Sequence, residues 1–390
     1  MYNTIVVHAA LAFFGAISLI VLLRNTARRM GLVDHPRGRK QHEGDVPVVG
    51  GIAIFGAFAF SALLVTQSEP LYPFRSLLGG MALLVFAGVL DDMHDLSALA
   101  KLALQCAAAL LMAAWGGVYV LQLGDLFGLG GGNLVLGGFA IPFTVICVLG
   151  LINAMNMTDG IDGLAGGLTF ISLTGIAVLC YALKLPSHLL MISILIGAVL
   201  GFLCFNFRHP MRPRADVFLG DAGSMALGFA VCWFAVAVNR AADSAVPAIA
   251  MVWIVAVPLL DMAVVMLRRA ISRRSPLSAD REHLHYLLLR VGLSQGATTW
   301  TLLVFAAICA ATGVAIWKYR IPQVWAFSGF AMLLGATIAF AHLISLRLTH
   351  TTALGTRGAP VEAVNEDVTS PQDGASVARR ELEARDSRKR

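Results

Sequence analysis

Eleven stretches of this chain are apolar over about the length that a bilayer core demands of a helix, roughly 20 residues. They cover approximately 4–23, 47–66, 76–90, 98–120, 134–154, 164–183, 188–207, 217–238, 246–266, 298–317 and 323–346, the third being the shortest. No other feature narrows the fold so far. A chain surrounded by hydrocarbon has to satisfy its peptide groups within itself, and a continuous helix does so without a partner. The expected fold is an all-α polytopic membrane protein of about eleven transmembrane helices. Composition agrees, with 58% of residues hydrophobic and 13% charged, against about 25% charged in soluble domains.

Basic residues set an orientation, because the loops of membrane proteins sort by Lys and Arg. The first stretch, Thr4–Leu23, has no basic residue before it and Arg24, Arg28 and Arg29 after it, the reverse of a signal peptide's order. It reads as a retained span with the N-terminus outside. On that assumption cytoplasmic loops hold fifteen Lys and Arg, external loops hold five, and the tail from Arg347 adds eight. Residues 1–348 are therefore expected to form one transmembrane domain, and 349–390 a polar cytoplasmic tail that is disordered or a frayed surface helix. The six cysteines lie inside apolar stretches without CxxC spacing and read as small buried hydrophobes. The Gly-rich segment Gly124–Gly138 contains GLGGGN but no GK[ST], falls outside, and reads as a flexible connection.

Five polar clusters share the cytoplasmic side: Arg37–Gly51 (RGRKQHEGDVPVVGG), the pair Asp91 and Asp92, Asn153–Gly167 (NAMNMTDGIDGLAGG), Phe218–Ser224 (FLGDAGS) and Asp280–Tyr286 (DREHLHY). Ionisable groups at a membrane edge are costly unless they have work to do. Asn153, Asn156 and Asp159 recur at intervals of three, as do Asp159 and Asp162, so one more helical turn would put their oxygens on roughly one face. The DGIDG pattern hints at calcium, but the rest of a twelve-residue loop and its final Glu are missing.

Asp91 and Asp92 diverge by about 100° on a helix, so one can face a metal or nucleophile while the other holds a neighbouring helix. Solvated acids capping Ser97 and the helix after it are the plain alternative. Lys101 either snorkels to the interface or pairs with an acid or a phosphate. Asp221, between two glycines at a helix start, either ligates Mg²⁺ beside backbone N–H groups that face a phosphate or is an ordinary N-cap. His283 and His285 are two apart and lack a third soft ligand, which favours phosphate or sugar contacts beside Arg281 over zinc. The inventory suits phosphoryl transfer with a hard cation on oxygen ligands, between a soluble donor and an acceptor held in lipid. An ion-coupled transporter is the competing class, but transport sites usually sit near the midplane between repeats, and no repeat is evident here.

Taken in order, RKQHEGDVPVVGG, LDDMHDLSALAK, NAMNMTDGIDGLAGG, FLGDAGS, PLLDMAVVMLRR and DREHLHYLLL resemble the successive signatures of the polyprenyl-phosphate N-acetylhexosamine-1-phosphate transferases, most nearly the bacterial undecaprenyl-phosphate GlcNAc-1-phosphate transferase branch. The resemblance runs from about Val33 to Leu289 and leaves out the tail. It implies transfer of an N-acetylhexosamine 1-phosphate, GlcNAc-1-phosphate being expected, from a UDP-sugar to undecaprenyl phosphate with release of UMP. It also implies Mg²⁺, or Mn²⁺ in its place, and a bacterial inner-membrane enzyme that starts lipid-linked cell-envelope polysaccharide.

Carried over residue by residue, the resemblance implies that Asp221 and Asn156 ligate the metal and that Lys101 contacts the diphosphate. Asp91 is similar to the aspartate that activates the lipid phosphate, with Asp92 in support. Phe218 resembles the aromatic that stacks on uracil, and Asp159 and Asp162 belong to the nucleotide and metal neighbourhood. His283 and His285 match the histidine motif, with Arg281 beside them, and Lys40 and His42 match the first cytoplasmic loop. The implied partners are the UDP-sugar, the lipid acceptor and the bilayer, with a homodimer as the oligomer admitted and no nucleic acid. One departure concerns the sugar side: the branch usually has a further histidine where this chain has Tyr286, so HLHY replaces HLHH. The phospho-MurNAc-pentapeptide transferases are the nearest sister branch and the second enzymatic reading.

Overall fold

Helices form where the apolar stretches lie. The computed structural model describes residues 2–34, 45–65, 71–128, 133–209, 211–241, 246–271 and 283–355, with side chains as far as 346. Among the described residues, nine helices are long and apolar enough to cross a membrane. They are built on α1 (Tyr2–Met30), α3 (Arg75–His94), α4 (Ala98–Leu110), α5 (Ala140–Thr158), α6 (Leu164–Ala182), α7 (Pro186–Asn206), α8 (Gly220–Ala241), α12 (Gln295–Lys318) and α13 (Gln323–Gly355). The count rises to ten if α9 (Ala248–Ile254) and α10 (Ala256–Ile271), bent by 84° at their junction, are one span. The remaining apolar stretch forms α2 (Gly50–Leu64), and α11 (Leu284–Arg290) is a short helix ahead of α12. Residues Met1–Ser345 make one compact unit, and the described residues beyond Leu346 are the end of α13.

Every expected stretch is helical, yet two are not straight, full-length spans, and each has a local cause. At 15 residues, α2 rises only about 22 Å, short of a bilayer core of about 30 Å. Its expected first residues are extended instead. Val46–Pro47 (β2) pairs antiparallel with Val33–Asp34 (β1), and Val48 bridges to Phe218. The amides of Gly50 and Gly51, which a helix start leaves without partners, donate to the carbonyls of Phe218 and Leu219, both at 3.0 Å.

The second case is the stretch 246–266. Pro258 stands in the first turn of α10, where its ring crowds the carbonyl four residues back and it offers no N–H. That carbonyl belongs to Ile254, the last residue of α9, and it accepts the hydroxyl of Ser172 from α6 at 3.4 Å. The Gly-rich connection between α4 and α5, expected to be flexible, carries an antiparallel ladder in which Leu123 and Leu136 donate to Leu134 and Leu121.

The core is arranged about α8, whose spanning window is 94% buried against α2, α3, α5 and α6. Its first half is rich in small residues (GDAGSMALG), which lets neighbouring backbones approach closely. A methyl group added at Gly51 of α2 or Gly88 of α3 would overlap the α8 backbone at Gly223 or Ala222. Glycine at those two places therefore sets how near the helices lie. The start of α8 is thereby brought beside the ends of α3 and α5 and the start of α4, and those four termini carry the polar residues.

Candidate active site

One ammonium joins two of these termini. Lys101 Nζ, on the first turns of α4, lies 2.6 Å from Asp91 Oδ2 and 3.4 Å from Asp221 Oδ2. The other Asp91 oxygen accepts the Leu96 N–H at 2.8 Å, and Asp91 is 5% exposed. Asn156, in the last turn of α5, donates through Nδ2 to Asp221 Oδ1 at 2.8 Å and to Ser224 Oγ at 2.9 Å. Asp91, Lys101, Asp221 and Asn156 thus form one connected cluster drawn from α3, α4, α8 and α5.

Asp92 faces elsewhere. Its carboxylate accepts the N–H groups of Asp221 at 3.1 Å and Ala222 at 3.5 Å, capping the N-terminus of α8 from another helix. This is favourable for a negative charge at the positive end of a helix dipole. The cap on α4 is supplied by Ser97, whose hydroxyl accepts from Ala100 N.

The cluster opens into a cavity of about 930 Å³. Asp91, Asp92, Lys101, Asn156, Asp159, Asp162, Phe218 and Asp221 line it, so eight of the sequence-derived site residues share one space. Arg208, Arg214 and Arg290 line it as well, together with Asp34 and Asp95, so carboxylates outnumber cations in the lining and positive charge is local to Lys101 and the arginines. Asp162 is engaged in holding the wall: its Oδ2 accepts Arg208 Nε at 2.6 Å and Ala215 N at 3.1 Å. Its carbonyl accepts the Thr299 hydroxyl at 3.1 Å. Phe218 is fixed by its backbone, donating to Pro47 O at 3.0 Å.

His283 and His285 do not line the cavity, whereas Tyr286 does. Both imidazoles are buried, at 6% and 1% exposure. His283 Nδ1 lies 2.9 Å from Asp261 Oδ2. A carboxylate only accepts, so the proton is on Nδ1. The other Asp261 oxygen accepts the N–H of Leu284, the first residue of α11, at 2.6 Å. Burial pushes the His285 imidazole down to about 4, against the opposing pull of the Asp261 charge, and the ring is neutral at physiological pH. Lys40, His42 and Arg281 lie outside the described residues.

The structure adds residues the motifs did not single out. Gln105, one turn beyond Lys101, is 3% exposed, accepts from Asn153 Nδ2 at 2.8 Å and contacts Met225 Sδ at 3.4 Å. A second polar layer therefore lies directly under the first. The signal available in the sequence was a single amide inside an apolar helix, four residues after a lysine. Asn206 ties two loops together by accepting Gly163 N–H at 2.8 Å and donating to Val217 O at 3.0 Å. Asp261 was visible as the one acid within an otherwise apolar stretch.

The donor set fits a hard divalent cation. Asp221 offers a carboxylate, one oxygen of which accepts from Asn156 and the other from Lys101, and rotation of the Asn156 amide would turn its oxygen to a cation held there. No group of three or more His, Cys, Asp or Glu among the described residues is arranged to hold a metal. Mg²⁺ needs no such group, since one or two carboxylates suffice when phosphates and water complete its shell.

A bundle of membrane-length helices with an acid, amide and ammonium cluster lining one cavity has the make-up of a membrane-embedded enzyme. The profile of glycosyl transferase family 4 matches residues 74–239. An undecaprenyl-phosphate alpha-N-acetylglucosaminyl 1-phosphate transferase of Yersinia pestis is 36% identical over 302 residues, covering 77% of this chain and 81% of its own. The protein of that description from Escherichia coli (strain K12) is 35% identical with the same coverage. That of Haemophilus influenzae is 33% identical over 322 residues, 82% of this chain and 89% of its own. This chain belongs to the family of these transferases.

Proposed function

We propose that the chain transfers N-acetylglucosamine 1-phosphate from UDP-N-acetylglucosamine to undecaprenyl phosphate, releasing UMP, at the cytoplasmic face of a bacterial inner membrane. The observation that carries this reading is Lys101 held between Asp91 and Asp221, with Asn156 on Asp221, in a cavity that arginines also line. The names of the relatives point to the same acceptor and sugar.

The reaction forms a bond between an oxygen of the lipid phosphate and the β-phosphorus of the donor. It breaks the bond from that phosphorus to the bridging oxygen, which leaves with UMP. A phosphate monoester with a second pKa of about 6 is largely dianionic at neutral pH, so little proton removal is needed. Both Asp91 oxygens are already engaged, by Lys101 and by Leu96 N. Asp91 therefore serves mainly to fix the Lys101 ammonium, and Lys101 brings the two anionic substrates together. Asp92 fixes the start of α8, and with it Asp221. Asp221 and Asn156 would hold Mg²⁺, which would supply charge neutralisation on the diphosphate. Arg208, Arg214 and Arg290 receive the remaining phosphate charge, and Phe218 offers its ring to the base.

The test incubates purified protein with undecaprenyl phosphate and a panel of UDP-N-acetylhexosamines, before and after chelation and Mg²⁺ restoration, following UMP and lipid-linked product. Product from UDP-N-acetylglucosamine that disappears with chelator and returns with Mg²⁺ is expected. Absence of product with every donor would refute the assignment.

A further inference from the structure

Behind the cavity wall the structure holds an acid and two imidazoles that the transfer itself does not use. Asp261, His283 and His285 are all nine-tenths buried or more, in a place where an unpaired carboxylate would be very costly. They touch in sequence. Asp261 takes the N–H of Leu284 with one oxygen and His283 Nδ1–H with the other. The His283 ring lies parallel to that of His285, with centroids 5.5 Å apart and planes inclined by 11°. Among the described residues His285 Nε2 is buried without a hydrogen-bond partner, and it sits so close to Gly160 that a methyl group added there would overlap it.

The two ends of this chain of contacts both belong to the lining of one cavity. Asp159, Gly160 and Asp162 line it, and so do Tyr286 and Arg290 of α11. A helix of seven residues has little hold of its own, so its position depends on what grips its first residue.

We propose that Asp261, His283 and His285 are positioning residues, a buried clasp that sets the Asp159–Asp162 turn against α11 and so fixes the shape of the donor-binding part of the cavity that the two line. The assignment of that part to the UDP-sugar rests on the function proposed above. An unpaired Nε2 at the contact is what lets the ring serve as a spacer: it abuts a glycine where a hydrogen bond would have drawn the turn elsewhere. The clasp predicts a size rule, in which the glycine at 160 is required because the imidazole at 285 is there.

The experiment compares wild type with Gly160→Ala, His285→Ala and the double variant, and Asp261→Asn with Asp261→Leu. Each is assayed with both substrates varied, titrated with UDP, and melted in the same detergent. Gly160→Ala should lower kcat/KM for the UDP-sugar about tenfold by misplacing the wall, with KM for undecaprenyl phosphate and the melting temperature kept. In the His285→Ala background the same substitution should cost less than about twofold, because the overlap is gone. Asp261→Asn, which keeps an acceptor for Leu284 N–H, should retain more donor affinity than Asp261→Leu. Should His285→Ala not fold, His285→Asn provides the smaller side chain.

Equal cost of Gly160→Ala in both backgrounds would overturn the clasp, as would losses in both KM values that follow the melting temperature. A wild type that binds UDP but makes no product refutes the function alone, and the coupling is then read from UDP affinity. A wild type that does not bind UDP overturns both.

Discussion

Replacing Lys101 by Met removes the positive charge that two carboxylates share. Its Nζ is 2.6 Å from one oxygen and 3.4 Å from the other, so those two oxygens are no more than about 6 Å apart, and at an effective dielectric of about 20 their repulsion is roughly 3 kcal/mol. Asp91 is buried, but the Lys101 and Asp221 side chains are 33% and 32% exposed, and water there reduces the figure to roughly 1–2 kcal/mol. That is a factor of about 5 to 30, before any loss of contact with substrate phosphate. The predicted phenotype has two parts. Turnover of UDP-N-acetylglucosamine should fall at least about tenfold, while the Mg²⁺ concentration for half-maximal rate should fall too, since a cation then faces two acids without a competing ammonium. UMP release across a Mg²⁺ titration, in detergent at fixed ionic strength, measures both. Turnover within threefold of wild type would mean that Lys101 only snorkels, and an unchanged Mg²⁺ requirement would remove Asp221 from the metal.

Asp92→Ala strips the cap from α8 and should cost about 1 kcal/mol of stability, with Asp92→Asn recovering part of it; equal melting temperatures for all three proteins would refute the capping role. Gln105→Leu leaves Asn153 without its partner between helices and should destabilise by about 1 kcal/mol, slowing turnover several-fold with donor KM unchanged. Steady-state rates beside thermal melts decide this, and a variant as fast as wild type would limit the second polar layer to packing. The fourth prediction concerns acid. The His285 imidazole, held near 4 by burial, takes a proton more readily unfolded, near 6.5, than folded. Above 6.5 it contributes no pH dependence, and between 6.5 and 4 it should lower stability progressively by up to roughly 3 kcal/mol. Melting curves of wild type and His285→Phe at pH 7.5 and pH 5 isolate this share, and parallel losses in both would contradict it.

The apolar stretches were legible because the bilayer imposes one length and one backbone solution on them. Where another constraint competed, length alone failed. Residues 47–49 are apolar enough for a span, yet the Pro47 carbonyl accepts the N–H of Phe218, more than 160 residues later, and the Val48 N–H donates to the Leu32 carbonyl. Pro258 carried its message in the sequence, and reading 246–266 as one span passed over it. For the site, residue types and spacing told which side chains gather, but not what each one grips. The divergence of Asp91 and Asp92 showed that they must part company. Only the arrival of α4 and α8 decides that Asp91 takes the ammonium and Asp92 the helix end. The histidines show the limit most clearly, since a motif names residues but not whether they face the cavity or stand behind its wall.

The burial of α8 has a mechanical consequence. Helices that meet lipid respond to bilayer thickness by tilting, and α13, with 11% of its spanning window buried, is the most exposed to it. An axial helix that touches almost no lipid does not feel that torque directly, and it is the one whose first turn carries Asp221. The reacting end is thus insulated from hydrophobic mismatch by the ring of helices that absorbs it. Turnover in bilayers of graded acyl length should accordingly vary little while the tilt of α13 changes, and a rate that follows thickness would show the insulation to be incomplete.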